Sequence, residues 1–336
     1  MEGSRESPSS SLEAFLAEGI DRVAFISSWL GARGIPHSVV PIAGRRHLVV
    51  RFPASAYDPL FRMKTVVAHH DRVGGTPGAN DNSAACFQLM RFAERLARWD
   101  RERPEGAREA HNVKIVFTDG EEAAGTKGVA GQGSFALGSG LRKLRMTDED
   151  VYVLDATGRG DTIVLSTAAL SSREGSARAR KRPSGLATRL AELHGTAARL
   201  AEKAASRSWI SLHTPYSDDA GFLAAGIAAQ VVTVLPRDEA ETLARAFAEA
   251  DDRSPGETRF SREELERAIT FNRNRALSRD IGRVVPETWR LMHTEADRAH
   301  TLTGEAFSLM DRFLGELAVS AEALTNPDAS PTRSRA

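Results

Sequence analysis

Short runs of β-branched and other apolar residues recur along the chain, and amphipathic stretches separate several of them. The runs lie at residues 38–42, 47–52, 64–68, 113–117, 151–154, 162–165 and 230–235. Apolar residues spaced by three and four predict helices at 10–33 and 83–97. Strands interleaved with helices are typical of an α/β fold. We therefore expect a three-layer α/β/α sandwich around a central mixed, mostly parallel sheet.

The bulk composition restricts the class of protein. The chain has 336 residues, which suits one large domain or two small ones, with 45 basic and 45 acidic side chains. A formal net charge of zero argues against a general nucleic-acid or anionic-membrane surface. No apolar stretch reaches the roughly 18 residues that cross a bilayer, and no secretory signal is visible, so we expect a cytoplasmic protein. The only cysteine, Cys86, lies in an apolar run, which favours a buried structural thiol.

Metal-binding side chains follow several predicted strands or lie in the loops just beyond them. They are His69, Asp71, Asp81, Glu121, Glu122, Asp155 and His293. Each segment alone has an ordinary explanation, such as a surface histidine pair, a helix N-cap or a solvated acidic turn. The carboxyl ends of strands, however, are where α/β sheets bind ligands. Together the segments supply ligands for two adjacent divalent cations and leave one carboxylate to act as a base.

Two local patterns sharpen this interpretation. Vicinal carboxylates such as Glu121-Glu122 repel each other, so the pair is costly unless a cation lies beside it. One glutamate can then bind the metal while the other takes a proton from water. His69 and Asp71 project to the same side of a strand, so Asp71 can hydrogen-bond the imidazole and fix its tautomer. For the last ligand, two His-Thr pairs compete, at His213 and His293.

In this order, the segments resemble those of the M28 family of zinc aminopeptidases. The matching motifs are His69-x-Asp71, Gly78-Ala79-Asn80-Asp81-Asn82, Asp119-Gly-Glu121-Glu122, Leu154-Asp155, Ser217-Asp218-Asp219-Ala-Gly-Phe222 and His293-Thr-x-x-Asp297. They span about residues 64–317, which is most of the chain. The combination is far more specific than any single motif.

The resemblance implies a role for each site residue. It implies two Zn²⁺ ions, one held by His69 and Asp155 and the other by Glu122 and His293, with Asp81 bridging them; other divalent cations are compatible with these ligands. Glu121 would be the general base, Asp71 the hydrogen-bond partner of His69, and Tyr216 an oxyanion-stabilising group. Asp297 completes the family pattern and selects His293 over His213. The family's bridging aspartate is typically followed by a cis peptide bond, here Asp81-Asn82.

The chain also departs from the family pattern. Ser83-Ala84-Ala85 replaces the usual small residues after the Asp-Asn pair, and Asp219 replaces a histidine, which affects the substrate pocket. A long charged helical insertion at about 237–290 is expected to form a lid or an oligomer contact. The arginine-rich segment 171–185 is interpreted as a mobile solvated loop in preference to an anion-binding patch. We expect a single zinc-peptidase domain over 1–330 and a frayed tail at 331–336.

The expected activity is the hydrolysis of amino-terminal peptide bonds in peptide or aminoacyl small-molecule substrates. No nucleic-acid or membrane partner is expected, and a homo-oligomer is compatible with the sequence. A glutaminyl-cyclase-like acyltransferase using one zinc ion is an alternative, separable by metal stoichiometry. An M20-type aminoacyl hydrolase is a second, although the interval between Asp155 and His293 leaves little room for its separate dimerisation domain. A non-enzymatic scaffold of the same fold is the third, and lost ligands would favour it.

Overall fold

The computed structural model of the protein describes residues 8–104, 110–122, 125–171, 185–252, 260–270 and 280–322. Among these residues, the strands are β1 (His37–Ile42), β2 (Arg45–Val50), β3 (Lys64–His69), β4 (Val113–Thr118), β5 (Asp150–Leu154), β6 (Thr162–Ser166), β7 (Trp209–Leu212) and β8 (Ala229–Leu235). The α-helices are α1 (Pro8–Leu16), α2 (Arg22–Gly31), α3 (Ala84–Glu102), α4 (Gly133–Lys143), α5 (Ala168–Ser171), α6 (Gly185–Ala205), α7 (Asp218–Ala224), α8 (Arg237–Asp252), α9 (Arg262–Thr270), α10 (Glu287–Leu291) and α11 (Gly304–Val319). None of the helices in these ranges has both the length and the apolar character needed to span a membrane.

All the strands belong to one sheet with the order β1-β2-β4-β3-β5-β8-β6-β7. The neighbours β3–β4, β3–β5, β5–β8 and β6–β7 are parallel. The pairs β1–β2, β2–β4 and β6–β8 are antiparallel. The expected α/β fold with a mixed, mostly parallel sheet is therefore confirmed. Because β4, β3 and β5 are adjacent and parallel, their carboxyl ends meet at the same edge of the sheet.

Helices cover both faces of the sheet. Alternate residues of each strand point to opposite faces, so each central strand contributes to two helical layers. On one face, Val66, Ile115 and Tyr152 share a core with α3, α6 and α11. On the other face, Val67 and Val153 pack with residues of α4 and α7. The central strands are buried on both sides, and this is why they appear in the sequence as continuous apolar runs.

Two local predictions differ from the structure. The single helix expected at 10–33 is wrong: it is two helices, α1 and α2, because the chain turns at Gly19 with φ of 72° and restarts at Asp21. The side chain of Asp21 caps α2 by accepting a hydrogen bond from the Ala24 amide at 3.1 Å. Periodicity misses the break because the apolar spacing continues across it. The short strand β7 was not predicted; it pairs with β6 alone at one edge of the sheet.

The charged segment at 237–290 is helical where the structure describes it. Leu243 and Phe247 of α8 and Leu265 and Ile269 of α9 form an apolar cluster with Val164 of β6. These helices are thus packed against the sheet, and the expected role as a lid or oligomer contact stays a prediction. Residues 172–184 and 323–336 lie outside the described residues, so the loop predicted at 171–185 and the tail predicted at 331–336 are not described.

Candidate metal centre

Three adjacent parallel strands bring the first candidate ligands to one edge of the sheet. Strand β3 ends at His69, and β5 is followed directly by Asp155. Strand β4 ends at Thr118, and its loop carries Glu121 and Glu122. His69 is 0% exposed, Glu121 2% and Asp155 7%, so these polar side chains are buried at the edge of the core.

Asp81 reaches this edge on a tightly constrained loop before α3. The loop begins at Gly78, which has φ of 62° and whose added Cβ would lie 2.7 Å from the Asp81 carbonyl oxygen, so only glycine fits there. The Asn80 side chain accepts a hydrogen bond from the Gly158 amide at 2.7 Å, and the Asn82 side chain donates one to the Leu154 carbonyl at 2.8 Å. The cis peptide bond expected at Asp81-Asn82 is present.

The two carboxylate oxygens of Asp81 face two different histidines. Oδ1 lies 3.3 Å from His69 Nε2, and Oδ2 lies 2.9 Å from His293 Nε2. His69 Nε2 is also 3.9 Å from an Asp155 oxygen, and His293 Nε2 is 3.1 Å from Glu122 Oε1. One ligand atom each from His69, Asp81 and Glu122 fall within 4.8 Å of one another. Asp81 therefore joins a His69–Asp155 pair to a His293–Glu122 pair.

The chemistry of this cluster fits bound divalent metal. Among the described residues, His69 Nε2, Asp81 Oδ2 and Asp155 Oδ1 are buried and have no hydrogen-bond partner of good geometry. Buried polar atoms are normally satisfied, so unsatisfied ones at a single point indicate a missing ligand. Imidazole nitrogens and carboxylate oxygens are among the atoms that coordinate Zn²⁺ in proteins. The residues present therefore match the metal that the sequence motifs imply.

The electrostatics of the metal-free cluster show how strongly its members interact. Burial opposes protonation of His69, but the nearby carboxylates of Asp155, Asp71 and Asp81 outweigh it and raise the pKa of His69 well above its usual value. Burial likewise opposes charge on His293, yet Asp81 and Glu122 raise its pKa to about 10. Burial and the nearby Asp81 raise the pKa of Glu122. The surrounding carboxylates thus favour positive charge at both imidazoles, and a bound cation supplies charge of that sign.

His293 is held in an uncommon backbone conformation. Its φ is 61°, in the left-handed region that non-glycine residues rarely occupy. Such a conformation costs on the order of 1–3 kcal/mol and persists only where the surroundings fix it. Here it directs the imidazole to Asp81 and Glu122. The competing His213 lies elsewhere, with its Nε2 3.1 Å from Thr270 Oγ1 in α9.

Asp71 connects the first histidine to the glutamate pair. Its Oδ1 lies 3.5 Å from His69 Nδ1, and its two oxygens accept hydrogen bonds from the amides of Glu121 at 3.3 Å and Glu122 at 3.0 Å. Burial raises the pKa of Asp71, but the contacts with His69 and the Glu122 amide outweigh burial and lower the pKa to about 2. Asp71 is therefore a fixed anion that orients both the imidazole and the loop of the proposed base.

Tyr216 and Asp219 are two further residues that the sequence motifs singled out. Tyr216 is half-buried, burial raises its pKa, and its ring centroid is 6.5 Å from that of His213. Its role as an oxyanion-stabilising group stays a prediction. Asp219 is buried and accepts a hydrogen bond from the Ser217 amide at 2.8 Å, so its carboxylate caps its own loop. Burial raises the pKa of Asp219 to about 7.

The sequence did not reveal the supporting contacts that two side chains make at the site. Asp297 accepts hydrogen bonds from the amides of Asn80 at 2.7 Å and Asp81 at 3.0 Å, and so fixes the loop of the bridging ligand. Its spacing from His293 was the available signal. Arg22 of α2 donates to the carbonyl of His70 at 3.0 Å and to Ser83 Oγ at 2.8 Å, among other contacts. No local pattern indicates a contact made across such distances in the chain.

Comparison with known proteins places this site in a family. The profile of Peptidase family M28 matches residues 48–312. Among solved structures, the fold is similar to the Legionella pneumophila LapA aminopeptidase, with a TM-score of 0.57 and 15% identity over 93% of this chain and 71% of that chain. It is also similar to Porphyromonas gingivalis glutaminyl cyclase, with a TM-score of 0.53 and 12% identity over 92% of this chain and 95% of that chain.

A third similar structure is a Zn-dependent exopeptidase from Parabacteroides distasonis, with a TM-score of 0.52 and 12% identity over 93% of this chain and 94% of that chain. No match was found among curated protein sequences. At identities of 12–15%, the structural similarity establishes only the fold. The match to the family profile establishes the family, because it covers most of the chain and includes all the candidate ligands. The chain therefore belongs to peptidase family M28 and is a metallopeptidase, a hydrolase.

Proposed function

We propose that this chain is a zinc aminopeptidase that hydrolyses amino-terminal peptide bonds at a dinuclear site. His69 and Asp155 would hold one ion, Glu122 and His293 the other, and Asp81 would bridge them. One observation carries this proposal: the two oxygens of Asp81 face two different histidines, at 3.3 and 2.9 Å. A carboxylate serving a single ion would not need a second imidazole at its other oxygen.

Zinc is the metal that the family implies, and its chemistry suits amide hydrolysis. When bound, Zn²⁺ acts as a Lewis acid that lowers the pKa of water and polarises a carbonyl group. Glu121 would accept the proton of the attacking water and return it to the leaving amine. Glu121 is buried and its amide donates a hydrogen bond to Asp71, so the loop that carries it beside the proposed ligand Glu122 is held in place, which supports this role. Aminopeptidases act on free amino termini, so the proposed substrates are peptides and aminoacyl amides.

Replacement of the proposed base tests this mechanism. In Glu121→Gln, we expect kcat to fall by about 10²–10⁴-fold, because an amide cannot accept the proton. Zinc content should stay at the wild-type value, since Glu121 is not among the proposed ligands. The assay is cleavage of a panel of aminoacyl 4-nitroanilides, with metal content measured on the same samples.

A matched control for this substitution is Glu149→Gln. Glu149 is also buried, but it lies at the opposite end of the strands, where it contacts Lys114 at 2.5 Å. We expect this variant to keep the wild-type kcat. Wild-type activity in Glu121→Gln with full zinc content would contradict the assignment of the base.

A glutaminyl-cyclase-like activity is a second candidate, supported only by the similarity of fold to the Porphyromonas gingivalis enzyme. Cyclisation of a peptide with amino-terminal glutamine, without cleavage of aminoacyl 4-nitroanilides, would favour it. Activity that is complete with one zinc ion per chain would point the same way. The pairing of His293 and Glu122 with Asp81 supports the aminopeptidase with two ions.

A further inference from the structure

Gln132 lies against the loop of the proposed base although it belongs to none of the sequence motifs. It immediately precedes α4, and its side chain is 6% exposed. Its amide nitrogen Nε2 donates a hydrogen bond to Glu121 Oε1 at 3.1 Å. This orientation of the amide follows from charge, because the opposite one would place two acceptor oxygens together.

The backbone fixes Gln132 in this place. The next residue, Gly133, donates its amide to the Gly120 carbonyl at 3.3 Å. A Cβ on Gly133 would lie 1.9 Å from the Asp119 carbonyl oxygen, so only glycine allows α4 to begin against this turn. The start of α4 and the loop of Glu121 are therefore in direct backbone contact.

Among the described residues, the Gln132 amide oxygen is buried without a hydrogen-bond partner. The contact with Glu121 is then the hydrogen bond that anchors this amide. A buried amide with an unsatisfied acceptor costs free energy. An unsatisfied buried group of this kind calls for an explanation, and a role in the reaction is one.

We propose that Gln132 is a positioning residue that fixes the carboxylate of Glu121 in the orientation needed to take the proton from water. This inference rests on the proposed function. Asp71 holds the Glu121 amide from one side, and Gln132 holds its carboxylate from the other. An amide is suited to this task because it donates a hydrogen bond without carrying charge. A lysine or arginine here would neutralise the base and compete with metal for the neighbouring carboxylates.

The test is Gln132→Met, which keeps the length of the side chain and removes the donor. We expect kcat to fall about 10–100-fold, as misplacement of a reacting group does, with KM changed less than about 3-fold. Zinc content should equal that of the wild type. A crystal structure of the zinc-loaded variant should show the Glu121 carboxylate rotated away from its wild-type position. Wild-type kcat, or an unmoved carboxylate, would overturn the inference.

Two controls separate positioning from a structural role. Gln230→Met removes another buried amide, which donates to the Ser166 carbonyl at 3.0 Å, and we expect it to keep the wild-type kcat. In the Glu121→Gln background, adding Gln132→Met should lower kcat by less than about twofold, because Gln132 acts through Glu121. A further loss as large as in the wild-type background would overturn the inference.

If Gln132→Met does not fold, Gln132→Asn gives the same test, since its amide is one methylene too short to reach Glu121. It should show the same loss of kcat with zinc retained, and wild-type kcat would overturn the inference. Failure of the proposed function gives a different result. In that case Glu121→Gln itself keeps wild-type activity, whatever substitution is made at Gln132.

Discussion

The two ends of the central strands β3, β4 and β5 both carry buried charges, but they balance them differently. At the amino end, oppositely charged side chains meet: Lys114 lies 2.5 Å from Glu149, and Arg189 lies 2.5 Å from Asp150. Lys64 donates to the Leu317 carbonyl at 2.8 Å and also to the carbonyls of Ala318 and Ser320 at the end of α11. Each charged group at this end has a protein partner.

At the carboxyl end, carboxylates outnumber the groups that can neutralise them. Two imidazoles, of His69 and His293, face a set of five buried or half-buried carboxylates, which are Asp71, Asp81, Glu121, Glu122 and Asp155. Burying such charge without compensation is costly. The amino end of the sheet thus balances its charges within the protein, whereas the carboxyl end keeps an excess of carboxylates of the kind that bind a metal ion.

The largest expected effect comes from making the same substitution at each end. Asp81→Asn should weaken zinc binding by at least about 100-fold, since loss of mere outer contacts to a ligand costs 10–100-fold. It should also abolish peptidase activity. Asp150→Asn should leave zinc content and kcat unchanged, because Asp150 contacts Arg189 at the opposite end.

Isothermal titration of the metal-free proteins with zinc, together with metal analysis, measures this difference. Zinc binding by Asp81→Asn as tight as that of the wild type would contradict the proposed difference between the two ends. Loss of zinc by Asp150→Asn while it remains folded would contradict it as well.

The next effect is a loss of stability at the amino end of the strands. Lys64→Met should lower the free energy of unfolding by about 2 kcal/mol, because the carbonyl oxygens at the end of α11 lose a charged donor. Zinc content and KM should not change. Denaturant unfolding of the zinc-loaded variant measures the loss, and a shift in zinc affinity would contradict the separation of the two ends.

The smallest effect concerns pH and His47, a buried histidine near the carboxyl end whose burial is compensated by carboxylates only in part. Burial lowers the pKa of His47 to about 4, and the nearby Asp119 raises it only in part. The folded state therefore disfavours the proton, so stability is present above pH 6.5 and is lost as the pH falls towards 4. One-site linkage gives a loss of about 1.5 kcal/mol between pH 6.5 and pH 5.

His47→Asn is the variant that tests this pH dependence. Its side-chain oxygen can still accept a hydrogen bond from the Asp119 amide, which His47 Nδ1 accepts at 3.3 Å in the wild type. The measurement is the free energy of unfolding of both proteins at the two pH values. Equal losses in the two proteins would show that His47 is not the titrating group.

The fold was predictable where burial dominates the local sequence. The runs at 64–68, 113–117 and 151–154 are mostly apolar because both faces of the sheet are covered, and each forms a strand in the structure. The pattern failed where a single backbone conformation decides, as at Gly19, which divides the first helix. It also failed at β7, a short strand that pairs on one side only.

The candidate site was predictable where residue type and strand end coincide. His69, Glu122 and Asp155 follow apolar runs, and His293 was chosen over His213 because Asp297 completes the pattern of the family that the chain resembles. The contacts that hold these ligands and the proposed base in place could not be predicted from residue type and strand ends. Gln132 meets Glu121 only because α4 begins against the loop after β4, and such a contact depends on tertiary packing and leaves no periodic signal.

The central claim is that the carboxyl end of the sheet holds two zinc ions and that activity depends on both. The most direct measurement titrates the metal-free protein with zinc while recording bound zinc per chain and the rate of aminoacyl 4-nitroanilide cleavage. We predict that binding and activity both reach a plateau at two zinc ions per chain. A plateau in both at one ion per chain, or full cleavage without zinc, would contradict the account.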